Sequence, residues 1–227
     1  MGPVVLGLDT AGPVVSAAIH AQGETLATWS ERIVRGADGV LMPAIVDLLA
    51  QAGAEGLVLS RVAVSAGPGG FTGLRVGVAT ALGVAVARGV PVVAVSSLAA
   101  RAALAPGEPR VLAMLDARKS RVYAGCFDTR PARPRALGEE QDIAPAEAMP
   151  GAPFVAVGEG ALVYADAVVA AGGRVVDDAG AGSAAMVAAL GVLGEPIDAG
   201  LVQLRYIRPP DAKVPRQLAG VGPARTG

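Results

Sequence analysis

An α/β fold made of two similar domains in tandem is predicted by the order and the repetition of segments in this sequence. Short β-branched runs alternate with longer helical patterns in the order β-β-β-α-β-α-β, which is typical of α/β domains. The opening of this order recurs later, because "VLGLD" and "VVSAAI" correspond to "VLAMLD" and "RVYAGC". Six positions separate Asp9 from Val15, and six separate Asp116 from Val122. Such a repeat indicates two copies of one folding unit.

The first unit is predicted to cover residues 1–104. The apolar run at residues 4–8 indicates a strand, and "VVSAAIHA" and "TLATWSERI" around the turn "QGE" indicate a hairpin. Two predicted helices, "GVLMPAIVDLLAQAG" and "TGLRVGVATALGVAVARG", then alternate with the strands within "LVLSRVAVSA" and "VPVVAVSS". Helical "LAARAALA" ends the unit.

The second unit is predicted to cover residues 105–208, after a junction near "LAPGEP". Its first two strands are the repeated pair, and a third strand is expected within "RALGEEQDI". The segments "PFVAVGEGA", "LVYADAVVAAGG", "RVVDD" and "SAAMVAALGVLG" then predict strand, helix, strand and helix. Residues 209–227 are rich in proline and glycine with little periodicity, which predicts a flexible tail.

The composition argues against several classes of protein. The 19 basic and 20 acidic residues nearly cancel, so the chain has no overall basic field that would recruit nucleic acid or membranes by itself. The single cysteine, Cys126, can close no disulfide within the chain, which fits a reducing compartment. The N-terminus lacks the pattern of a signal peptide, and the uncharged run from Val76 to Ala87 is too short to cross a bilayer. A cytoplasmic protein without membrane contact is expected.

The segment "SAGPGGFTGLRVG" allows three interpretations, since a strand, a glycine-rich turn and a helix follow one another. The first is a phosphate-binding loop, in which backbone N–H groups and a helix N-terminus meet an anion. The lysine of the Walker motif is missing, and a dinucleotide motif that began at Gly67 would have Thr72 in place of its last glycine. Neither nucleotide-binding motif is complete.

The second interpretation is a nucleophile elbow around Ser65, which is a near match to G-x-S-x-G. The helix of such an elbow begins at the serine, whereas Pro68 interrupts it here, and the one histidine, His20, precedes the serine instead of following it. The third interpretation is structural, with a glycine loop and Thr72 as the N-cap of the helix. The helix then carries one row of small residues to which a second helix can pack closely: Gly73, Gly77, Ala81 and Ala85.

Both long helices of the first unit are apolar over more than the one face that a sheet covers. In the first helix, Asp47, Gln51 and Glu55 form a single narrow polar stripe. In the second helix, only Arg75 and Thr80 interrupt a run of Ala, Gly, Val and Leu. Each helix is therefore expected to bury a second face, either against the other half of the chain or against a partner protein.

Three separated motifs carry a family resemblance: "VVLGLDTAGPVVSAAI", "VAVSAGPGGFTGLRVGVATALGVAVARGVPVVAVSSLAA" and "MLDARKSRVYAGCF". Together they resemble the TsaB family, also called YeaZ, over residues 3–127, and the later "VGEGA" and "RYIRPP" are weakly similar. The resemblance implies two ribonuclease H-like domains in tandem, as in the fold group of actin, Hsp70 and sugar kinases. It also implies a non-catalytic subunit of the machinery that makes N6-threonylcarbamoyladenosine (t6A) at position 37 of tRNAs that read codons beginning with A.

The resemblance further implies partners. A TsaD-like paralogue, the catalytic transferase, is expected to bind the two long helices of the first unit, and a TsaE-like ATPase is expected to join the pair. Contact with tRNA is expected only through the complex, and a homodimer of the free chain through the same face is left open. The residues assigned to the partner interface are Leu41, Ile45, Leu48, Gly73, Val76, Gly77, Thr80, Ala81 and Val84.

Two carboxylates, Asp9 and Asp116, each follow a strand where members of this fold position Mg-nucleotide. The turn "DARKSR" has no glycine that would let the backbone wrap a phosphate. The chain is therefore expected to hold no cofactor or metal tightly, with ATP or ADP and metal on the partner subunits. The residues assigned to vestigial nucleotide or phosphate contacts are Asp9, Thr10, Gly69, Gly70, Thr72, Asp116 and Arg118.

Two enzyme functions remain as alternatives. One is an ATP-dependent phosphotransferase that holds Mg-ATP with the two carboxylates, and the other is a peptidase. The single histidine and the lack of a second glycine loop disfavour both, since no complete acid-base or nucleophile set is present. The sequence departs from the family at residues 36–39, which lack the usual His-Ser pair, and at Gly70, where serine is usual.

Overall fold

The computed structural model describes residues 2–33, 38–54, 56–176 and 182–208. Two mixed β-sheets form the framework, and helices pack on both faces of each sheet. Two features of the sequence lie outside the described residues. These are residues 36–37 of the segment without the His-Ser pair, and the proposed tail at residues 209–227.

The elements of the first domain follow the predicted order. They are β1 (Val5–Asp9), β2 (Val14–Ala21), β3 (Glu24–Arg32), α1 (Asp38–Ala54), β4 (Arg61–Ser65), α2 (Phe71–Arg88), β5 (Val92–Val95) and α3 (Ser97–Ala102). The strands pair in the order β3-β2-β1-β4-β5. The β1–β2 and β2–β3 pairs are antiparallel, whereas β4 and β5 run parallel to β1, as helical crossovers require.

The second domain repeats this order of strands, but a short 3-10 helix (Pro145–Ala148) stands where the first domain has α1. Its elements are β6 (Val111–Asp116), β7 (Val122–Asp128), β8 (Arg135–Ala136), β9 (Gln141–Ile143), β10 (Phe154–Val157), α4 (Glu159–Val163), α5 (Ala165–Ala170) and β11 (Gly173–Val176). Written from the other edge, the order β8-β7-β6-β10-β11 matches β3-β2-β1-β4-β5 of the first sheet. The third strand is split into two short pieces, because β8 and β9 both pair with β7. The predicted tandem of ribonuclease H-like domains is confirmed.

The last helix, α6 (Ala184–Leu193), packs on the first sheet although its position in the sequence falls in the second unit. Gly7 of β1 makes room for it, because a Cβ at this position would lie 2.3 Å from the carbonyl oxygen of Ala184. Gly191 of α6 is also tightly packed, because a Cβ at this position would lie 2.5 Å from the Cβ of Ala63 in β4. Glycines on both sides therefore allow α6 to pack closely on the first sheet.

Helices α3 and α6 form a layer between the two sheets. Val187 of α6 and Ala100 of α3 pack on the first sheet, whereas Leu98 and Ala102 of α3 pack on the second. Helices α1 and α2 cover the other face of the first sheet, and α4 and α5 cover the outer face of the second. The molecule thus has five layers, and the two domains share the central one.

Helix α2 is long and apolar enough, by length and composition alone, to cross a bilayer. The expectation that this run is too short is revised, because the helix extends on both sides of the uncharged segment to 18 residues. Val78, Ala81 and Val84 are nevertheless buried against the first sheet, and Leu74 is buried in the cluster that α3 forms with the second sheet. That packing is typical of the core helix of a folded domain.

Candidate functional site

The residues assigned to the partner interface lie mainly in the core of the first domain. Gly73, Val76 and Thr80 are only partly covered. The other six are buried on the sheet side: Leu41, Ile45, Leu48, Gly77, Ala81 and Val84. This corrects the choice of residues, because a helix that is apolar nearly all round does not reveal in its sequence which side faces the sheet.

The outward faces of α1 and α2 are nevertheless apolar. Met42 and Val46 of α1 are 44% and 57% exposed, and Val86 of α2 is 73% exposed. Ala79 and Gly83 of α2 are also exposed. Both helices pack on the same face of the first sheet, so their outward sides point away from the same core. An exposed surface of this composition is typical of a protein–protein interface.

The glycines at the start of α2 allow close contact with the end of β1. The hydroxyl of Thr10 donates to the carbonyl oxygen of Gly73 over 2.7 Å. A Cβ at Gly73 would lie 2.2 Å from the Thr10 carbonyl oxygen, and a Cβ at Gly77 would lie 2.1 Å from Thr10 Oγ1. The predicted close approach is therefore present, but the neighbour is the strand end and not a second helix.

The start of α2 is positioned by the backbone segment that follows β1. Gly70 N–H donates to the carbonyl oxygen of Ala11 over 2.9 Å, and a Cβ at Gly69 would lie 2.6 Å from the same oxygen. Gly70 is the N-cap and Phe71 the first helical residue, so the prediction that Thr72 is the N-cap is wrong. The helix therefore begins two residues earlier in the chain than the sequence pattern indicates.

The other side of the glycine loop contacts the C-terminal segment. Arg205 N–H donates to the carbonyl oxygen of Ala66 over 2.7 Å, and a Cβ at Gly67 would lie 2.2 Å from the Arg205 carbonyl oxygen. Gly67 has φ +118°, a conformation that favours glycine. Its N–H donates to Ser97 Oγ over 3.2 Å. In this structure the loop is filled by the chain's own backbone and does not form an open phosphate cradle.

Asp9 is fully buried and is bound by an arginine. Its Oδ2 accepts a hydrogen bond from Arg101 Nη2 over 3.1 Å, and its Oδ1 accepts one from Ala11 N–H over 3.2 Å. Arg101 also pairs with Glu159 of the second domain, over 3.0 Å from Nε and 3.1 Å from Nη2, and its Nη1 donates to the carbonyl oxygen of Ser97. One guanidinium therefore joins a carboxylate from each domain.

The electrostatics of this triad favour the charged forms of Arg101 and Glu159. Burial alone would lower the pKa of Arg101, but the carboxylates of Asp9 and Glu159 raise it above its usual range. Burial would raise the pKa of Glu159, but Arg101 lowers it below its usual value. A guanidinium of the protein itself thus lies beside Asp9, the carboxylate assigned to vestigial nucleotide or phosphate contacts.

Asp116, the counterpart of Asp9 in the repeat, has a different environment. It is exposed, and its Oδ1 accepts a hydrogen bond from Arg118 N–H over 2.8 Å. Arg118, Lys119 and Ser120 have φ values of 59°, 53° and 56°. Three successive residues other than glycine in the left-handed region are costly. The two carboxylates that the repeat aligns therefore have separate roles, one in a buried ion pair and one in an exposed turn.

Ser65 and His20 lie too far apart to form a catalytic pair. Ser65 is the last residue of β4 and is fully buried, and its Oγ has no hydrogen-bond partner. His20 pairs with Val5, which in turn pairs with Arg61 at the other end of β4. Four residues along a strand correspond to about 13 Å. Burial lowers the pKa of His20, which keeps the ring neutral.

The described ranges also lack other signs of a reactive centre. Burial raises the pKa of the Cys126 thiol, which keeps it protonated. Among the residues that the structure describes, no three His, Cys, Asp or Glu side chains lie together in a way that could hold a metal ion. Sequence reasoning missed Arg101 and Glu159. An arginine inside the alanine-rich "LAARAALA" was the available signal, because a charge within an apolar helix needs a partner.

Comparison with known proteins places these features in a family. A family model described as TsaD, tRNA N6-adenosine threonylcarbamoyltransferase, matches residues 35–158, which is more than half of the chain. A Mycobacterium tuberculosis protein is 35% identical over 215 residues, 92% of this chain and 93% of its own length. A Mycobacterium leprae protein is 38% identical over 152 residues, 64% of this chain and 42% of its own length.

Named relatives and solved structures agree with this match. The Escherichia coli tRNA threonylcarbamoyladenosine biosynthesis protein TsaB is 34% identical over 122 residues, so the chain spans about half of its length. YeaZ from Pseudomonas aeruginosa superposes with a TM-score of 0.75 at 29% identity, covering 90% of this chain and 99% of that protein. The chain therefore belongs to the TsaB/YeaZ family.

Proposed function

We propose that this chain is a non-catalytic accessory subunit of t6A biosynthesis, which binds a TsaD-type transferase through the outward faces of α1 and α2. The observation that carries the proposal is the exposed apolar surface of these helices. Met42, Val46 and Val86 lie on it, and the core of the first domain does not use it. Family membership supports the class of partner, because the relatives are named as t6A biosynthesis proteins.

The shape of this surface suits packing against other helices. Ala79 and Gly83 of α2 have small side chains or none, so a partner helix can approach its axis closely. Met42 of α1 supplies a flexible apolar side chain that adapts to a partner. A paralogue with the same fold would present its own pair of helices, and the four helices would form a bundle.

The non-catalytic part of the proposal is supported by the buried triad. Arg101 neutralises Asp9, and the glycine loop is filled by backbone of the same chain. ATP or ADP and metal are therefore assigned to the partner subunits. The alternative, an ATP-dependent phosphotransferase, requires Mg-dependent binding of ATP by this chain alone. We expect a titration with fluorescent ATP and Mg²⁺ to give no saturable binding. Saturable binding would favour the alternative, an ATP-dependent phosphotransferase.

The remaining associations follow from the same proposal. A TsaE-like ATPase would join the pair, tRNAs that read codons beginning with A would be the substrate of the complex, and the cytoplasm would be its compartment. A homodimer of the free chain would use the same outward face of α1 and α2, so the transferase and a second copy would compete for it.

The proposed docking face is tested by size-exclusion chromatography with the TsaD-type paralogue of the same genome. The informative changes are Val46→Asp on α1 and Ala79→Glu on α2, because both residues are exposed and a charge there does not enter the core. A charge at Ile45 or Ala81 would be uninformative, since both are fully buried. Val169→Asp is the matched control, as Val169 of α5 is an apolar residue with similar exposure, 64%, on the second domain.

We expect the wild-type chain and the control to co-elute with the paralogue, and each of the two α1 and α2 variants to elute separately. A charge buried in an apolar interface without a partner costs several kcal/mol, which is enough to disrupt a pair of ordinary affinity. Failure of the wild-type pair to co-elute would refute the proposed function. Co-elution that neither charge disturbs would place the interface on another surface.

A further inference from the structure

Residues 202–208, the last that the structure describes, contact both domains. On the first domain, Tyr206 contacts Phe71, with ring centroids 5.2 Å apart, and its hydroxyl accepts a hydrogen bond from Arg75 Nε over 3.1 Å. The guanidinium of Arg75 lies over the Phe71 ring at 3.8 Å from the centroid. One end of the segment is thereby attached to the first turn of α2.

On the second domain, the same segment contacts the turn between β6 and β7. Arg208 Nη1 donates to the carbonyl oxygen of Ala117 over 3.0 Å, and its Nε pairs with Asp142 at 2.6 Å. Arg121 pairs with the same carboxylate at 2.7 Å. Ala117 directly precedes Arg118 and Lys119, which are exposed. These contacts make one continuous surface from the start of α2 to the β6–β7 turn.

We call this surface the basic ridge, and its charge differs from that of the whole protein. Its basic residues are Arg75, Arg118, Lys119, Arg121, Arg205 and Arg208, and its acidic residues are Asp116, Glu140 and Asp142. Six basic and three acidic groups give a net charge of +3, whereas the whole chain has −1, which leaves −4 on the rest. The positive charge is therefore concentrated on one surface, and the balanced composition conceals it.

The ridge also presents aromatic rings beside its guanidinium groups. Tyr206 is 37% exposed, and Arg208 lies 5.9 Å from the centroid of Tyr123. Aromatic rings and guanidinium planes are the groups on which unpaired bases stack, and arginines bind phosphates with two hydrogen bonds. A membrane is a poorer fit, because Tyr206 is the one exposed large hydrophobic residue that the ridge contributes among the described residues.

The backbone of the β6–β7 turn holds two of the cations outward. Arg118 and Lys119 have positive φ values. Arg118 N–H donates a hydrogen bond to Asp116 Oδ1, and the Arg118 carbonyl oxygen accepts one from Arg121 N–H. Left-handed residues other than glycine are maintained where the surrounding structure imposes them, often at sites that hold ligands. The turn is thus closed by its own hydrogen bonds while both long basic side chains remain exposed.

We propose that the basic ridge is a direct RNA-binding surface of this chain, which contacts the phosphates and an unpaired base of the tRNA on which the complex acts. The identity of the polyanion as tRNA rests on the proposed function, whereas the ridge itself rests on the contacts above.

The test is fluorescence anisotropy of the full chain with a labelled, unmodified transcript of a tRNA that reads a codon beginning with A. The variant is Arg118→Gln with Lys119→Gln, which removes two exposed charges without touching the core. The control is Arg88→Gln, since Arg88 is exposed at the other end of α2, about 20 Å from Arg75. Far-ultraviolet circular dichroism verifies that each variant is folded.

We expect the double variant to bind tRNA about tenfold more weakly in about 0.1 M salt and to show a flatter dependence of affinity on salt, while the control binds within about twofold of wild type. A wild-type chain that does not bind tRNA, an unchanged double variant, or an equal loss in the control would overturn the proposal. Binding to phosphatidylserine vesicles in place of tRNA would also overturn it. Co-elution with the TsaD-type paralogue is measured separately, so a negative result for tRNA binding would not refute the proposed docking face on α1 and α2.

Discussion

Arg101 joins a carboxylate of each domain through a single guanidinium. It lies in the short helix between the two sheets, is 1% exposed, and binds Asp9 from the first domain and Glu159 from the second. Asp9 also accepts a hydrogen bond from the backbone N–H of Ala11. A buried ion pair contributes little net stability compared with apolar packing, but removal of one member leaves charges without a partner.

Replacing Arg101 by methionine is therefore expected to destabilise the protein strongly. Asp9, which is fully buried, and Glu159, which is 16% exposed, would lose their shared cation, at a cost of about 3–5 kcal/mol. Urea unfolding at neutral pH, followed by circular dichroism, measures the effect. Arg174→Met is the control, because Arg174 forms an exposed pair with Glu108 whose loss costs about 0–1 kcal/mol. Equal stability of the two variants would contradict the role assigned to the triad.

At the scale of elements, α2 has two sides with different environments. Gly77 faces the end of β1, and Gly83 faces solvent. The sequence shows both as glycines within one apolar helix, and its periodicity does not distinguish them because the helix is apolar nearly all round. The predicted row of small residues is real, but its position against β1 is a property of the packed domain.

The two glycines make a matched pair of substitutions. Gly77→Ala is expected to destabilise by about 1–3 kcal/mol, because the added Cβ would lie 2.1 Å from Thr10 Oγ1 and α2 would have to move. Gly83→Ala is expected to stabilise by about 0.5–1 kcal/mol, because its Cβ would meet no atom within 4 Å and alanine favours helix. Denaturant unfolding of both variants measures the difference. The same sign for both would show that α2 does not pack as described.

At the scale of the whole molecule, buried ionisable groups make stability depend on pH. Burial lowers the pKa of His20 below its usual 6.5, so the unfolded chain binds more protons than the folded one as the pH falls through this range. Glu159 acts in the same direction at lower pH, because its pKa is below the usual 4.5. Burial raises the pKa of Glu140, which has the opposite effect. Stability is therefore expected to decrease on acidification, first through His20.

The contribution of His20 is measured with His20→Gln. Its stabilising effect is complete above the usual pKa and is lost as the pH falls through the lowered one, so the wild-type protein should lose stability between about pH 7 and about pH 5.5. The variant lacks the titrating group and should lose less over the same range. Urea midpoints at the two pH values provide the measurement. Identical decreases in both proteins would assign the dependence to other groups.

The sequence by itself determined the two repeated units, the order of their strands and the family, because periodicity, turn residues and local motifs act over short distances. Only the tertiary structure decided which side of α1 and α2 is free, that α6 returns to the first sheet, and that Arg101 and Glu159 meet at Asp9. It also decided that basic residues far apart in the sequence, such as Arg75 and Arg208, form one ridge. These features depend on packing between distant segments, and a helix apolar on every side or a chain with nearly balanced charge gives no local sign of them.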